Sequence, residues 1–269
     1  MKRKFEQNQI RTAAAHELLT CFERFVYDRP YDSNEALHFE DVPLTDYALQ
    51  AATIEPRTAL HKVLEDLAYV YFYLYAYDDA EFAPDLVGEF AAYVRWMFGE
   101  MGLVAPAEFA SSDPQVLRLA RDNYRDAFTH GLHHVVVSAY AVAWQRRTLM
   151  FDFNKKLAER IRPLKKSEHP ILEADGRLPR AHFPSWLVNR IQNRDMGLCQ
   201  HCGRPVLAVF GSEEPSHIDH MVALAVGGGN DPTNLQLSCS DCNLKKGAKA
   251  IEIKDVFSWP NARGNESGV

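Results

Sequence analysis

Cys199-Gln200-His201-Cys202-Gly203 opens the stretch that decides how this chain is read, and Cys239-Ser240-Asp241-Cys242-Asn243-Leu244-Lys245-Lys246-Gly247 closes it. Between the two C-x-x-C pairs stand His217-Ile218-Asp219-His220, then Gly227-Gly228-Gly229-Asn230, then Asn234-Leu235-Gln236-Leu237. Two thiolate pairs at this spacing can close a tetrahedral zinc site, with Cys199, Cys202, Cys239 and Cys242 as the ligands. Such a metal supplies folding energy that a short segment lacks. The pattern predicts a hairpin turn at Gly203 after the first knuckle and a helix opened by the second. The adjacent carboxylate and imidazole of Asp219 and His220 can hold a second metal and activate a water.

In order and spacing, these parts resemble the HNH endonuclease family over residues 190–247. The rest of the chain carries no such likeness. The resemblance implies a small ββα-metal, treble-clef-like domain built around a structural Zn²⁺. It also implies roles for matching positions: His220 as the general base, Asp219 as the acidic metal ligand, and Asn234 as the residue that buttresses the loop and orients the histidine. Asn243 stands where many members have a metal-ligating histidine, which makes this an H-N-N variant. Oxygen ligands from Asp219 and Asn243 favour Mg²⁺ or Mn²⁺ as the catalytic ion. Lys245, Lys246, Arg190 and Arg194 are the expected phosphate contacts. DNA is the expected substrate, with RNA left open.

Neighbouring features have plainer readings. His201 is expected as an exposed spacer. His217 shares a strand face with Asp219 at period two, as a structural residue or a partner of the site. The Gly227–Gly229 run lacks the Lys-Ser/Thr of a phosphate-binding P-loop and is read as a tight loop leading from the strand to the helix. His130, His133 and His134 share a helical face, one turn after Asp126, and are expected to pack or face solvent rather than to hold a metal. Cys21, in an apolar helical stretch, is read as a small buried hydrophobe.

The chain has 269 residues, 46% hydrophobic and 25% charged, a soluble globular profile of roughly two domains. No apolar run reaches the ~18 residues of a membrane span. No apolar segment follows Met1–Phe5, so a cytoplasmic location without membrane contact is expected. The net charge of −6 is uneven. Residues 1–143 carry 12 Lys and Arg against 22 Asp and Glu, while residues 144–195 carry 12 against 6. An acidic domain is a poor grip for a polyanion, so the basic middle segment is the better candidate for phosphate contact.

Hydrophobic periodicity predicts a mainly α N-terminal part. Expected helices cover 6–28, a stretch capped by Thr45 or Asp46 and running to Thr53, and a third started by Pro56. The third runs through Tyr69–Tyr77, where strict tyrosine alternation competes with a helical stripe. Further helices are expected over 81–103 and, capped by Asp113, from 114 toward Arg162, continuous or with a break. Residues 31–43 read as a loop, and Pro184 as the start of another helix. The division is thus an acidic all-helical domain over 1–162, a Pro-containing linker over 163–182, and an HNH nuclease domain over 183–269. The leading expectation is a metal-dependent DNA endonuclease. Its helical domain would serve regulation by a protein or small ligand, or homo-oligomerisation, an architecture that suits a prokaryotic restriction or phage-defence effector. The competing one is a non-catalytic zinc-knuckle nucleic-acid-binding module on a helical scaffold.

Overall fold

The computed structural model describes residues 12–207 and 216–247. It is mostly helical, with a small two-stranded sheet near its C-terminal end. The first helix, α1 (Thr12–Val26), buries Leu18, Phe22 and Phe25 on one face, as its periodicity requires. The part of the expected helix before Thr12 lies outside the described residues. Cys21 is buried on that face and donates to Glu35 at 3.5 Å.

Several boundaries differ from the sequence expectation, two of them because local side-chain caps decided them. The expected loop at 31–43 carries α2 (Ser33–Asp41), since the Asp32 side chain accepts from the Glu35 amide at 2.9 Å and so starts a helix. Helix α3 (Leu44–Gln50) begins directly after Pro43, so Thr45 and Asp46 lie inside it and cap nothing. Thr58, rather than Pro56, starts α4 (Ala59–Ala68). Its hydroxyl accepts from the His61 amide, and His61 Nδ1 accepts from the Thr58 amide at 3.2 Å, a reciprocal box that satisfies two otherwise orphaned N–H groups.

The tyrosine run is helical, as the stripe indicated, but in π geometry over Tyr69–Asp78. The wider turn places Phe72, Tyr73 and Tyr77 on the buried side, while Tyr69, Tyr71 and Tyr75 are exposed. The Tyr77 ring lies tilted against Phe128, centroids 4.2 Å apart, and its hydroxyl donates to the Arg121 carbonyl at 2.7 Å. Helix α5 spans only Val87–Glu100 of the expected 81–103. The long stretch beyond Asp113 is three helices, α6 (Pro114–Asn123), α7 (Arg125–Ala143) and α8 (Arg147–Ile161). Asp113 does cap the first of them, accepting from the Gln115 amide at 2.8 Å. Leu60, Val63 and Leu64 of α4 pack with Phe128, Val135 and Val136 of α7 and with Phe153 of α8 in one core.

Helix α9 (Ser185–Arg194) follows Pro184 and buries Leu187 and Ile191 in a second, smaller core with Cys199, Val206, Leu235, Leu237 and Cys239. Strand β1 (Ser216–His220) pairs antiparallel with β2 (Leu235–Cys239), with Asp219 opposite Gln236 and His220 opposite Leu235. Helix α10 (Ser240–Lys246) completes a ββα arrangement. Residues 163–182 form a strap whose Leu172 and Leu178 are buried in the main core.

Polar ties join the ββα part to the helices. Asp231 accepts from the Ala59 amide at 2.7 Å, at the start of α4. Asn154 of α8 donates to Thr233 at 3.0 Å, and Arg147 donates to Gln236 of β2 at 2.5 Å. No described helix is long and apolar enough to cross a membrane.

His61 gives the junction at Thr58 a pH signature. It stacks on Tyr140 with ring centroids 3.8 Å apart, and burial pulls its pKa down to about 4. An unfolded histidine titrates near its ordinary 6.5, so the unfolded chain holds the extra proton between these values. This contribution to stability is complete above about pH 6.5 and is lost as pH falls toward 4. Chemical denaturation across that window is expected to show a shallower loss for His61→Gln than for the wild type. Equal slopes would contradict this role.

Candidate functional site

The four cysteine sulfurs lie within 4.8 Å of one another, the one group of three or more metal-ligand side chains so gathered among the described residues. Cys202 Sγ and Cys239 Sγ are 3.9 Å apart, close to the ~3.8 Å edge of a tetrahedron with Zn–S bonds of about 2.3 Å. The residues therefore fit a structural zinc. The first knuckle is shaped by a turn in which Gly203 takes φ +75° and its amide donates to the Cys199 carbonyl at 2.8 Å. The second is shaped by α10, which Cys239 caps, its sulfur accepting from the Cys242 amide at 3.5 Å. The Arg204 guanidinium lies 3.5 Å from both Cys202 Sγ and Cys239 Sγ and pairs with Asp241, placing positive charge against a tetrathiolate that stays net negative when zinc is bound.

The clamp sets His201 beside Asp219, so His201 is a half-buried partner of the carboxylate and not an exposed spacer. Its Nε2 lies 3.3 Å from Asp219 Oδ2. Gln236 reaches the same oxygen at 2.9 Å, its own amide oriented by Arg147 on the other side. Lys246 donates to Asp219 Oδ1 at 2.8 Å and also to the His220 carbonyl. Burial by itself would raise the Asp219 carboxyl. Hydrogen bonds from His201, Lys246 and Gln236, with the Lys246 charge, outweigh that and hold it below the usual carboxylate range.

His220 is buried, with Phe183 5.7 Å from its ring and Asn230 Oδ1 3.2 Å from its Nε2. Desolvation lowers its pKa to about 4, so the imidazole is neutral at pH 7. Asn234 is fully buried and staples the loop after β1. Its amide nitrogen donates to the Val222 carbonyl at 2.9 Å and the Gly229 carbonyl at 2.8 Å, while its oxygen accepts from the Val222 amide at 2.8 Å. The glycine run fits into that staple and leads through a short 3₁₀ turn, Pro232–Asn234, into β2, with α10 beyond it. Gly227 sits at φ +89°, and a Cβ on Gly228 would lie 1.9 Å from the Val222 carbonyl oxygen.

A cavity of about 490 Å³ elsewhere lies among α1, α2 and the π-helix. The one that contains the motif residues is about 330 Å³ and is lined by Arg180, Asp219, His220, Asn243, Leu244 and Lys246, among others. Asp219, His220 and half-buried Asn243 thus share one solvent-open space. Of the four basic residues expected on a phosphate surface, two are not on the surface. Lys246 is 1% exposed and bound as described, and Arg194 is buried, paired with Asp195 at 2.7 Å and donating to the Leu235 carbonyl at 2.6 Å. Arg194 also lies 4.5 Å over the Trp144 ring, so it fastens β2 to α7. Lys245 and Arg190 are exposed, and Arg190 lines a separate groove with Trp186 and Tyr140. His217 is half-buried on β1, and His130, His133 and His134 are exposed.

Sequence reasoning missed Asn230, Gln236 and Arg180. Gln236 was recoverable in principle, since pairing the two apolar segments antiparallel places it opposite Asp219. Arg180 had no signal beyond the basic character of residues 144–195.

A family model described as HNH endonuclease matches residues 199–249. No curated protein and no solved structure matches the chain.

Zinc occupancy is directly measurable. Metal analysis of the purified protein is expected to find zinc, and Cys239→Ser is expected to lose it and to destabilise the chain by at least about 3 kcal/mol in denaturant titration. A variant with unchanged stability and metal content would remove the clamp from the account.

Proposed function

We propose that the chain is a metal-dependent endonuclease that hydrolyses phosphodiester bonds of DNA, with His220 as general base. The observation that carries this reading is the shared cavity of Asp219, His220 and Asn243 inside the segment that matches the HNH endonuclease model. A neutral, buried imidazole at pH 7 can take a proton from water, and the cavity gives a backbone phosphate access to it.

Asp219 and Asn243 are the residues that would hold a catalytic Mg²⁺ or Mn²⁺. The donor set fits a hard ion, being all oxygen with the carboxylate kept ionised. Asp219, which already accepts from Lys246, Gln236 and His201, would have to share its carboxylate between these donors and the ion. When bound, the ion supplies electrostatic stabilisation of charge developing on the phosphate and the leaving oxygen. Lys246 keeps Asp219 charged and ties it to the backbone of His220, so the carboxylate and the base keep one relative position. Arg180, exposed at the rim, and Lys245, exposed on α10, are the proposed contacts to flanking phosphates. The acidic helical part is assigned to control by a protein or small ligand, or to self-assembly. A restriction or phage-defence setting for it rests on analogy alone.

The competing reading is a zinc-knuckle module that binds nucleic acid without cutting it. Supercoiled plasmid nicking with added Mg²⁺ or Mn²⁺ separates the two. Wild type is expected to nick, and His220→Ala is expected to lose about 10²–10⁴-fold in rate while keeping its zinc. Wild type and variant equally inactive on DNA and RNA with either ion would favour the binding module. Cleavage of RNA alone would change the substrate and keep the chemistry.

A further inference from the structure

Asn230 follows the glycine run and is 0% exposed. Its neighbours determine which way its amide points. Nδ2 lies 3.1 Å from the Ala52 carbonyl and 2.8 Å from the Pro179 carbonyl, two acceptors that only an NH₂ group can serve. Oδ1 accepts from the Ala181 amide at 3.2 Å. The reversed amide would face oxygen to two carbonyls and NH₂ to an N–H, so the orientation is settled by chemistry.

The same Oδ1 is 3.2 Å from His220 Nε2. An amide oxygen can only accept, so the hydrogen in this contact belongs to Nε2. A neutral imidazole carries a single N–H, which leaves the lone pair on Nδ1. The opposite tautomer would set two lone pairs against each other inside a buried site.

We propose that Asn230 is a positioning residue that locks His220 in the Nε2–H tautomer and thereby makes Nδ1 the nitrogen that takes the proton from water. This deepens the reading of His220 as general base and rests on it. Everything that orients Asn230 comes from outside the segment matching the family model. Ala52 lies between α3 and α4, Pro179 and Ala181 lie in the strap, and the Asn230 amide itself donates to the Ala51 carbonyl at 2.7 Å. The α3–α4 connection and the strap therefore align the base through four backbone groups and one buried side-chain amide.

The test uses the full-length, zinc-loaded protein with ¹⁵N-labelled histidine. The His220 signals are assigned by their loss in His220→Gln, and the ¹⁵N shifts report the tautomer at neutral pH. A protonated Nε2 and bare Nδ1 are expected in the wild type. An Nδ1–H tautomer overturns the proposal whether or not the protein cuts nucleic acid, so this result is independent of the nicking assay. In Asn230→Ala, a mixture of tautomers is expected, with kcat lower by about 10²-fold and KM changed by less than about threefold. Wild-type kcat in a folded Asn230→Ala protein would also overturn it. Should that variant fail to fold, the wild-type tautomer decides alone.

Discussion

The four-sulfur clamp is the constraint on which the small domain depends. It brings a turn before β1 to the end of β2 and the start of α10, three pieces of chain around a core of only a few residues. Once these are fastened, His201 stands against Asp219, β2 sets Gln236 opposite Asp219, and α10 carries Asn243 and Lys246 to the same cavity. With zinc bound, a cluster this size would gain rigidity from coordination bonds that its small hydrophobic core supplies less of.

Around Asp219 the structure solves an electrostatic problem. A buried carboxylate is costly unless its oxygens are met, and here an ammonium, an amide and an imidazole meet them. Lys246 therefore works inside the protein, linking the carboxylate to the backbone of the neighbouring histidine. Arg194 follows the same logic on the other face: paired with Asp195 and stacked on Trp144, it anchors β2 to the helices. Buried ion pairs of this kind fix relative positions more than they add net stability.

The ββα part does not hang from the helical part by a flexible tether. Asp231 reaches the first turn of α4, Arg147 and Asn154 of α8 reach β2 and the turn before it, and Met221 is buried in the main core. Asn230, bonded to Ala51, Ala52, Pro179 and Ala181, joins the α3–α4 connection and the strap to the ring of His220.

Residue chemistry and spacing along the chain were enough to pick out the four clustered cysteines and the helical character of the first 160 or so residues, because these depend on which side chains can bind metal and on local periodicity, whereas the loop-buttressing place of Asn234 came from the resemblance to the HNH endonuclease family. Helix starts at Asp32 and Thr58 were missed because a single cap outweighs propensity over a short segment. The fates of Lys246 and Arg194 were decided only in three dimensions. A basic residue reads the same in sequence whether it faces solvent or a buried carboxylate, and burial is set by contacts between distant segments. The same holds for Asn230, whose hydrogen bonds span up to 178 positions of chain and whose meaning exists only where the helices, the strap and the strand meet.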